Sequence, residues 1–185
     1  MSKSLLVLFV FIHISCFSQE YLDLKIVNYN NDTIFSRIKI YKDIISRKPV
    51  DNIQNYYNYF NTITVFDTEG NKNKIKVNNI KTLYFIDLKG ENRIYYNDGK
   101  YLKELKFNGV KLKWFRTIRK NVYDGSITYH DELTDINGKT YYLGLIGAKK
   151  NMKKATISKP ELIPLIESSN MDDSEILEIL KKFED

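Results

Sequence analysis

His130, Asp131, Glu132 and Asp135 form the densest cluster of side chains in this sequence able to move a proton or hold an ion. One reading makes His130 a general base oriented by a carboxylate, or a ligand of a single metal. Geometry counts against both. Neighbours in an extended strand point to opposite faces, so His130 and Asp131 diverge unless the segment is a turn. Asp135-Ile136-Asn137-Gly138 is similar to part of a calcium loop, but Leu133 stands at the first ligand position and Gly144 at the twelfth, where acids are required. The segment reads as a solvated loop, and the chain as having no catalytic residue, no cofactor and no metal ligand.

The rest of the composition narrows the chemistry further. The chain has 185 residues and a formal charge of +6, with one cysteine, two histidines and one tryptophan. Cys16 and His13 both lie near the start, which leaves His130 alone in the remainder. A disulfide framework, a zinc finger, a thiol nucleophile and a multi-histidine metal site are excluded for that remainder. The eight glycines stand singly, and neither G-x-x-x-x-G-K nor G-x-G-x-x-G occurs, so no phosphate-cradling loop is expected. One enzymatic alternative survives: a carboxylate-dependent hydrolase acting on a glycan outside the cytoplasm, because its two acids pair in space and not in sequence. A single tryptophan offers few aromatic platforms for such a cleft, and the chain is read as a non-enzyme.

Residues 1–18 read as a signal peptide. Lys3 supplies a basic start, and Leu5 to Ile12 is an apolar run too short to span a bilayer, which takes about twenty residues. Cys16 and Ser18 place small residues at −3 and −1 of a cut before Gln19. This predicts an exported chain, periplasmic or secreted, whose residues 19–185 form a single β-rich domain with no transmembrane span. The alternative is lipid anchoring through Cys16, since His13-Ile14-Ser15-Cys16 approximates a lipobox.

The elements that must position any site are mostly strands, expected over about 22–147. Leu22, Leu24 and Ile26 alternate with Asp23 and Lys25 in the period of a half-buried strand. The alternation resumes after Asn30-Asn31-Asp32, and again in Thr62 to Phe66, Lys74 to Val77, Ile80 to Ile86, Arg93 to Tyr96 and Tyr101 to Phe107. Asn108-Gly109 is the strongest hairpin signal, with positive φ expected at both positions, and leads into Val110 to Ile118. Ser126 to His130 and Thr140 to Ile146 complete eight or nine strands. Pro49 to Phe60 fits a short helix, an ordered loop or a strand. The C-terminal part changes period. Two short helices are expected over about 159–168 and 173–183, each opened by capping-box spacing, Ser158 with Glu161 and Asp172 with Glu175. The fold class is α+β, mainly β: an antiparallel meander, a curved sheet or a small barrel-like sheet, with two C-terminal helices.

Tyrosine and lysine mark the candidate ligand surface. Tyr56, Tyr57 and Tyr59 combine apolar bodies with polar tips, and Trp114 stands between Lys111 and Lys113 on one side and further basic residues on the other. Where tyrosines come in pairs, as in Tyr95-Tyr96 and Tyr141-Tyr142, one of each should face inward and the other out. The positive charge is spread along the chain, so nucleic acid is not an expected partner.

The order of these signals resembles a group of exported proteins of unknown function from flavobacteria and other Bacteroidetes. The resemblance is carried by Cys16-Phe17-Ser18-Gln19, Asn31-Asp32-Thr33-Ile34, Phe66-Asp67-Thr68-Glu69-Gly70, Asn79-Ile80-Lys81, Phe107-Asn108-Gly109-Val110-Lys111-Leu112, Pro160-Glu161-Leu162 and Ile176-Leu177-Glu178-Ile179. It implies an exported β-rich domain with C-terminal helices and brings no catalytic motif. Residues and resemblance together predict a non-enzymatic cell-envelope protein, a binding domain whose partner is an envelope protein or a glycan.

Overall fold

The computed structural model describes residues 21–40, 62–120, 126–144 and 146–185. Its strands are β1 Tyr21–Asn28, β2 Thr33–Lys39, β3 Thr62–Phe66, β4 Lys72–Lys76, β5 Ile80–Ile86, β6 Asn92–Asn97, β7 Leu102–Asn108, β8 Leu112–Lys120, β9 Ile127–Asp135 and β10 Thr140–Leu143. They form one open antiparallel sheet in the order β10-β9-β8-β7-β6-β5-β1-β2-β3-β4. Three helices follow: α1 Ala148–Ala155, α2 Ile163–Ser168 and α3 Asp173–Glu184. The architecture is the expected α+β, mainly β, with one helix more than expected. Only Met152 and Ala155 of α1 are buried, too thin an apolar stripe to announce a helix. Packing against β10 holds it.

Alternation decides which side chains enter the core. Leu22, Leu24 and Ile26 of β1 are buried while Asp23 and Lys25 stay exposed, and Ile63 and Val65 do the same on β3. β9 corrects the sequence reading. It takes in His130, Asp131 and Glu132, which were expected in a loop, because pairing with β8 continues unbroken from Leu112↔Asp135 to Lys120↔Ile127.

Four hairpins close on one loop design. In Asp67–Asn71, Asp87–Glu91 and Asp135–Lys139 the leading aspartate accepts the backbone N–H groups two and four residues ahead at 2.8–2.9 Å. Each has glycine fourth, at φ 89°, 82° and 79°, a region that side chains with a Cβ disfavour. Asn28–Asp32 repeats the plan with asparagine in both roles: Asn28 Oδ1 accepts the Asp32 N–H at 2.8 Å, and Asn31 has φ 66°. The shared signature, Asp-x-x-Gly or Asn-x-x-Asn, is a local repeat within an otherwise unrepeated chain.

Asn108-Gly109 does turn the chain, but by other means than expected. Neither residue has positive φ. Gly109 is needed for space instead: a Cβ there would lie 2.3 Å from Glu184 Oε1 and 2.6 Å from the Leu112 carbonyl oxygen. The Glu184 carboxylate caps the hairpin, accepting the N–H groups of Val110, Lys111 and Leu112 at 2.9–3.0 Å.

The link from β4 to β5 dictates a bend. Only Val77–Asn79, a 3-10 turn, joins these strands, yet β1, β2 and β3 stand between them in the sheet. Laid flat, four strand spacings of ~4.8 Å would separate them by about 19 Å. The link covers about 8 Å at 3-10 rise and at most ~14 Å fully extended. The sheet folds over where it is weakest, at the β2–β3 joint, whose register is the single pair Arg37↔Phe66. The β3–β4 hairpin therefore lies over the inner side of β1 and β5. A core of strand and turn residues results, including Leu24, Ile26, Ile63, Val65, Val77, Leu83 and Tyr95.

A second core lies under the helices. Leu112, Trp114, Leu133 and Leu143 of β8–β10 meet Met152 of α1, Ile166 of α2 and Ile176, Ile179, Leu180 and Phe183 of α3. The capping box of α3 is complete, with Asp172 and Glu175 exchanging bonds with each other's backbone N–H. The Ser158–Glu161 spacing forms none: the 3-10 turn Pro160–Leu162 that precedes α2 has Lys159 as its cap and no side-chain bond.

Candidate functional site

Between the two cores the inner face of the sheet carries charge. Arg93 on β6 donates to Asp87 at 2.8 Å and to Glu104 on β7 at 2.7 Å. Arg116 on β8 holds Asp131 on β9 at 2.8 and 2.9 Å and reaches Asp173, the first residue of α3, at 2.7 Å. The Trp114 indole N–H shares Asp131 at 2.9 Å. Burial pushes the Asp87 carboxyl up, but the N–H of Glu91, the Arg93 guanidinium and the N–H of Lys89 outweigh it, and its pKa lies below the usual range. Asp173 is lowered by its bond to Arg116, against the opposing effect of burial. Burial acts to lower the pKa of Arg93 and of Arg116, yet their acids hold both above arginine's ordinary value. A glycosidase acid needs the opposite displacement, a carboxyl raised toward neutrality. The Arg116 end of this ribbon of ion pairs binds α3 to the sheet through Asp173, and its Arg93 end ties the β5–β6 turn to β6 and β7.

The other face carries no part of either core. Residues directly opposed in antiparallel strands point to the same side. The registers thus set Phe35, Lys25, Tyr84 and Ile94 in one row across β2, β1, β5 and β6. Leu105, Phe115, Glu132 and Tyr142 continue it across β7, β8, β9 and β10. Tyr95↔Glu104, one residue away, points inward, so Ile94 and Leu105 meet where the two halves join. Eight strands at ~4.8 Å spacing make the row about 34 Å long.

Apart from Lys25 and Glu132 this row is apolar, and it is open at its ends: Phe35 is 75% exposed and Tyr142 65%. Ile86, two residues along β5 from Tyr84 on the same face, is 59% exposed, while Glu132 is buried. Phe35, Tyr84, Ile86 and Ile94, with Asp23, Lys25 and Asn92, line a recess of about 640 Å³, the size of a ligand or anchor pocket. Lys25 Nζ lies 5.6 Å from the centre of the Tyr84 ring. Tyr96 stands edge-on to Phe115 with centroids 6.1 Å apart. Lys103 binds Glu132 at 2.7 Å and Asp98 at 2.9 Å, and although burial lowers its pKa, these acids raise it above the ordinary value.

The residues singled out in the sequence are dispersed. Trp114 is 1% exposed, a core residue under α3 and not a surface one. Lys111 Nζ donates to the Phe183 and Glu184 carbonyl oxygens at 2.9 Å and closes the end of α3. Lys113 is exposed and lies on the outer face, two residues before Phe115. Tyr56, Tyr57, Tyr59, the processing residues Ser18 and Gln19, Cys16, and the Pro49–Phe60 stretch lie outside the described residues. His130 is exposed opposite Thr117, and Asp131 points the other way, into the ribbon. The paired tyrosines divide as expected, Tyr95 buried and Tyr96 39% exposed.

Sequence reasoning missed Phe35, Ile86 and Ile94. A signal existed in β5, where Leu83 and Phe85 face inward and Tyr84 and Ile86 outward, so the strand is apolar on both sides. Two-sided apolarity in an antiparallel strand with one solvated face points to a second surface in use. Among the described residues no three histidine, cysteine or acidic side chains gather to hold a metal. No described helix is long and apolar enough to cross a membrane. Comparison with protein-family models, with curated proteins and with solved structures returned no match.

Proposed function

We propose that this is an exported, non-enzymatic cell-envelope protein whose outer sheet face binds a partner, either an envelope protein or a glycan. Export rests on the signal-like residues 1–18, with cleavage after Ser18 or, alternatively, acylation of Cys16. The observation that carries the binding role is the contrast in coverage. The inner face is closed by α1–α3 and the β3–β4 hairpin, while the outer face leaves Phe35 and Ile86 in water beside a recess and Tyr142 in water at the far end of the row. Large apolar groups left exposed on one sheet face are costly for a monomer and mark a site of contact. The acids of the inner face support a non-catalytic reading, because arginines bind them and the pKa values of Asp87 and Asp173 are displaced away from acid catalysis.

The test compares the natural chain with an Ile86→Asp variant for retention of envelope proteins and of immobilised polysaccharides. Ile86→Asp should abolish retention without altering the melting temperature. Retention of neither class by the natural chain, or equal retention by the variant, would refute the proposal.

A further inference from the structure

We infer that the partner of the outer face is a second copy of this chain, the two sheets stacked face to face about a two-fold axis that runs along the strands between β6 and β7. This rests on the reading of that face as a contact surface. The argument is self-complementarity, which an isologous interface requires. Rotation about that axis reverses the row, so each residue meets the one equally far from the middle. Ile94 then meets the other copy's Leu105, and Tyr84 meets Phe115. Lys25 meets the Glu132 position, where the acid is buried and held by its own chain's Lys103 at 2.7 Å, so no exposed charge of like sign in the row stands against Lys25. At the ends Phe35 meets Tyr142. The row reads the same in kind from either end, aromatic, charged, aromatic, aliphatic, with the two charges of opposite sign. Like charges never face one another in it.

Shape and size agree with charge. The recess over Lys25 lies in one half of the row, and the projecting Tyr142 ring lies in the other. Two-fold symmetry brings each ring to the other copy's recess. Stacked sheets pack about 10 Å apart when their strands align, and rotation about an axis parallel to the strands keeps them aligned. A row about 34 Å long, with the flanking residues on each strand adding about 20 Å in the other direction, offers roughly 700 Å² per copy. Standard interfaces bury about 800 Å² per partner, so the face has the area a specific dimer needs.

Sedimentation of the full chain tests this, with two variants at the exposed ends of the row. The natural chain should weigh as a dimer at tens of micromolar. Phe35→Asp alone and Tyr142→Arg alone should each raise the dissociation constant at least tenfold. Both substitutions in one chain should restore the dimer, because they place an acid opposite a base at each end. Circular dichroism melts of the variants, at positions mostly in water, report whether the fold is kept. A monomer at all concentrations overturns the inference, as does a dimer that neither single substitution weakens or that the double variant fails to restore. A monomer that still retains a glycan or an envelope protein through Ile86 removes the second copy and leaves the binding face standing.

Discussion

The two faces of this sheet are built from the same strands and answer to different demands. Inward, β8 presents Leu112 and Trp114 to three helices, and every charge between the cores is matched, Arg93 with Asp87 and Glu104, Arg116 with Asp131 and Asp173. Outward, the same strands present Tyr84, Ile94, Leu105 and Phe115 with no described element over them. The inner face is thus where stability resides, and the outer face is where apolar surface is left over. A change inside should unfold the protein and leave its surface chemistry alone, whereas a change outside should do the reverse.

The largest effect belongs to Trp114. Replacing it with alanine removes the biggest side chain of the second core together with its bond to Asp131, and unfolding in urea should show a loss of about 3–5 kcal/mol. A loss below about 1 kcal/mol would mean that the helices do not depend on the sheet beneath them.

An intermediate effect is expected where α3 meets the β7–β8 hairpin. Glu184→Gln leaves three backbone N–H groups with a weaker acceptor and should cost about 1–2 kcal/mol for a partly exposed site. Gly109→Ala should cost a similar amount, since its Cβ would displace the same carboxylate. The two are one contact seen from both sides, so the double variant should lose less than the sum of the singles, a result additive energies would contradict. Acid sharpens the point. Burial raises the Glu184 pKa, but the N–H groups of Lys111, Leu112 and Val110 and the Lys111 charge more than reverse this, leaving it below its ordinary 4.5. A carboxyl lowered by folding stabilises fully above its unfolded value and progressively less as pH falls toward the folded one. The melting temperature of the natural chain should therefore fall below about pH 4.5, and that of Glu184→Gln should fall less steeply.

The smallest effect on stability belongs to the outer face. Phe35→Asp, at a residue 75% exposed, should change stability by no more than about 0.5 kcal/mol while weakening association. Destabilisation by several kcal/mol would show that the outer row belongs to the fold and not to a contact.

Much of the fold was legible because its signals are short. Asp87-Leu88-Lys89-Gly90 turns the chain through bonds that reach only two to four residues, and Leu22, Leu24 and Ile26 declare their face by a period of two. The His130-Asp131-Glu132 segment misled for the same reason. Its polarity reads as loop within its own window, while β8, Lys103 and Arg116 supply the pairing and the counter-charges from elsewhere. Trp114 misled likewise, because lysines beside it in sequence alternate with it in space. The candidate site was scarcely legible at all: of the residues proposed for it, Lys113 alone stands on the outer face among those described.

The sequence by itself determined where the strands turn, which side chains of each strand share a face, and that α3 starts at its capping box, since each depends on neighbours a few residues apart. Only the tertiary structure decided that β5 pairs with β1, that the β3–β4 hairpin folds over the inner side, that Glu184 seats on Gly109, and that Phe35 and Tyr142 end one row. These are meetings of residues far apart in the chain. Their energy comes from surfaces that exist only after the strands have assembled, so no local pattern encodes them.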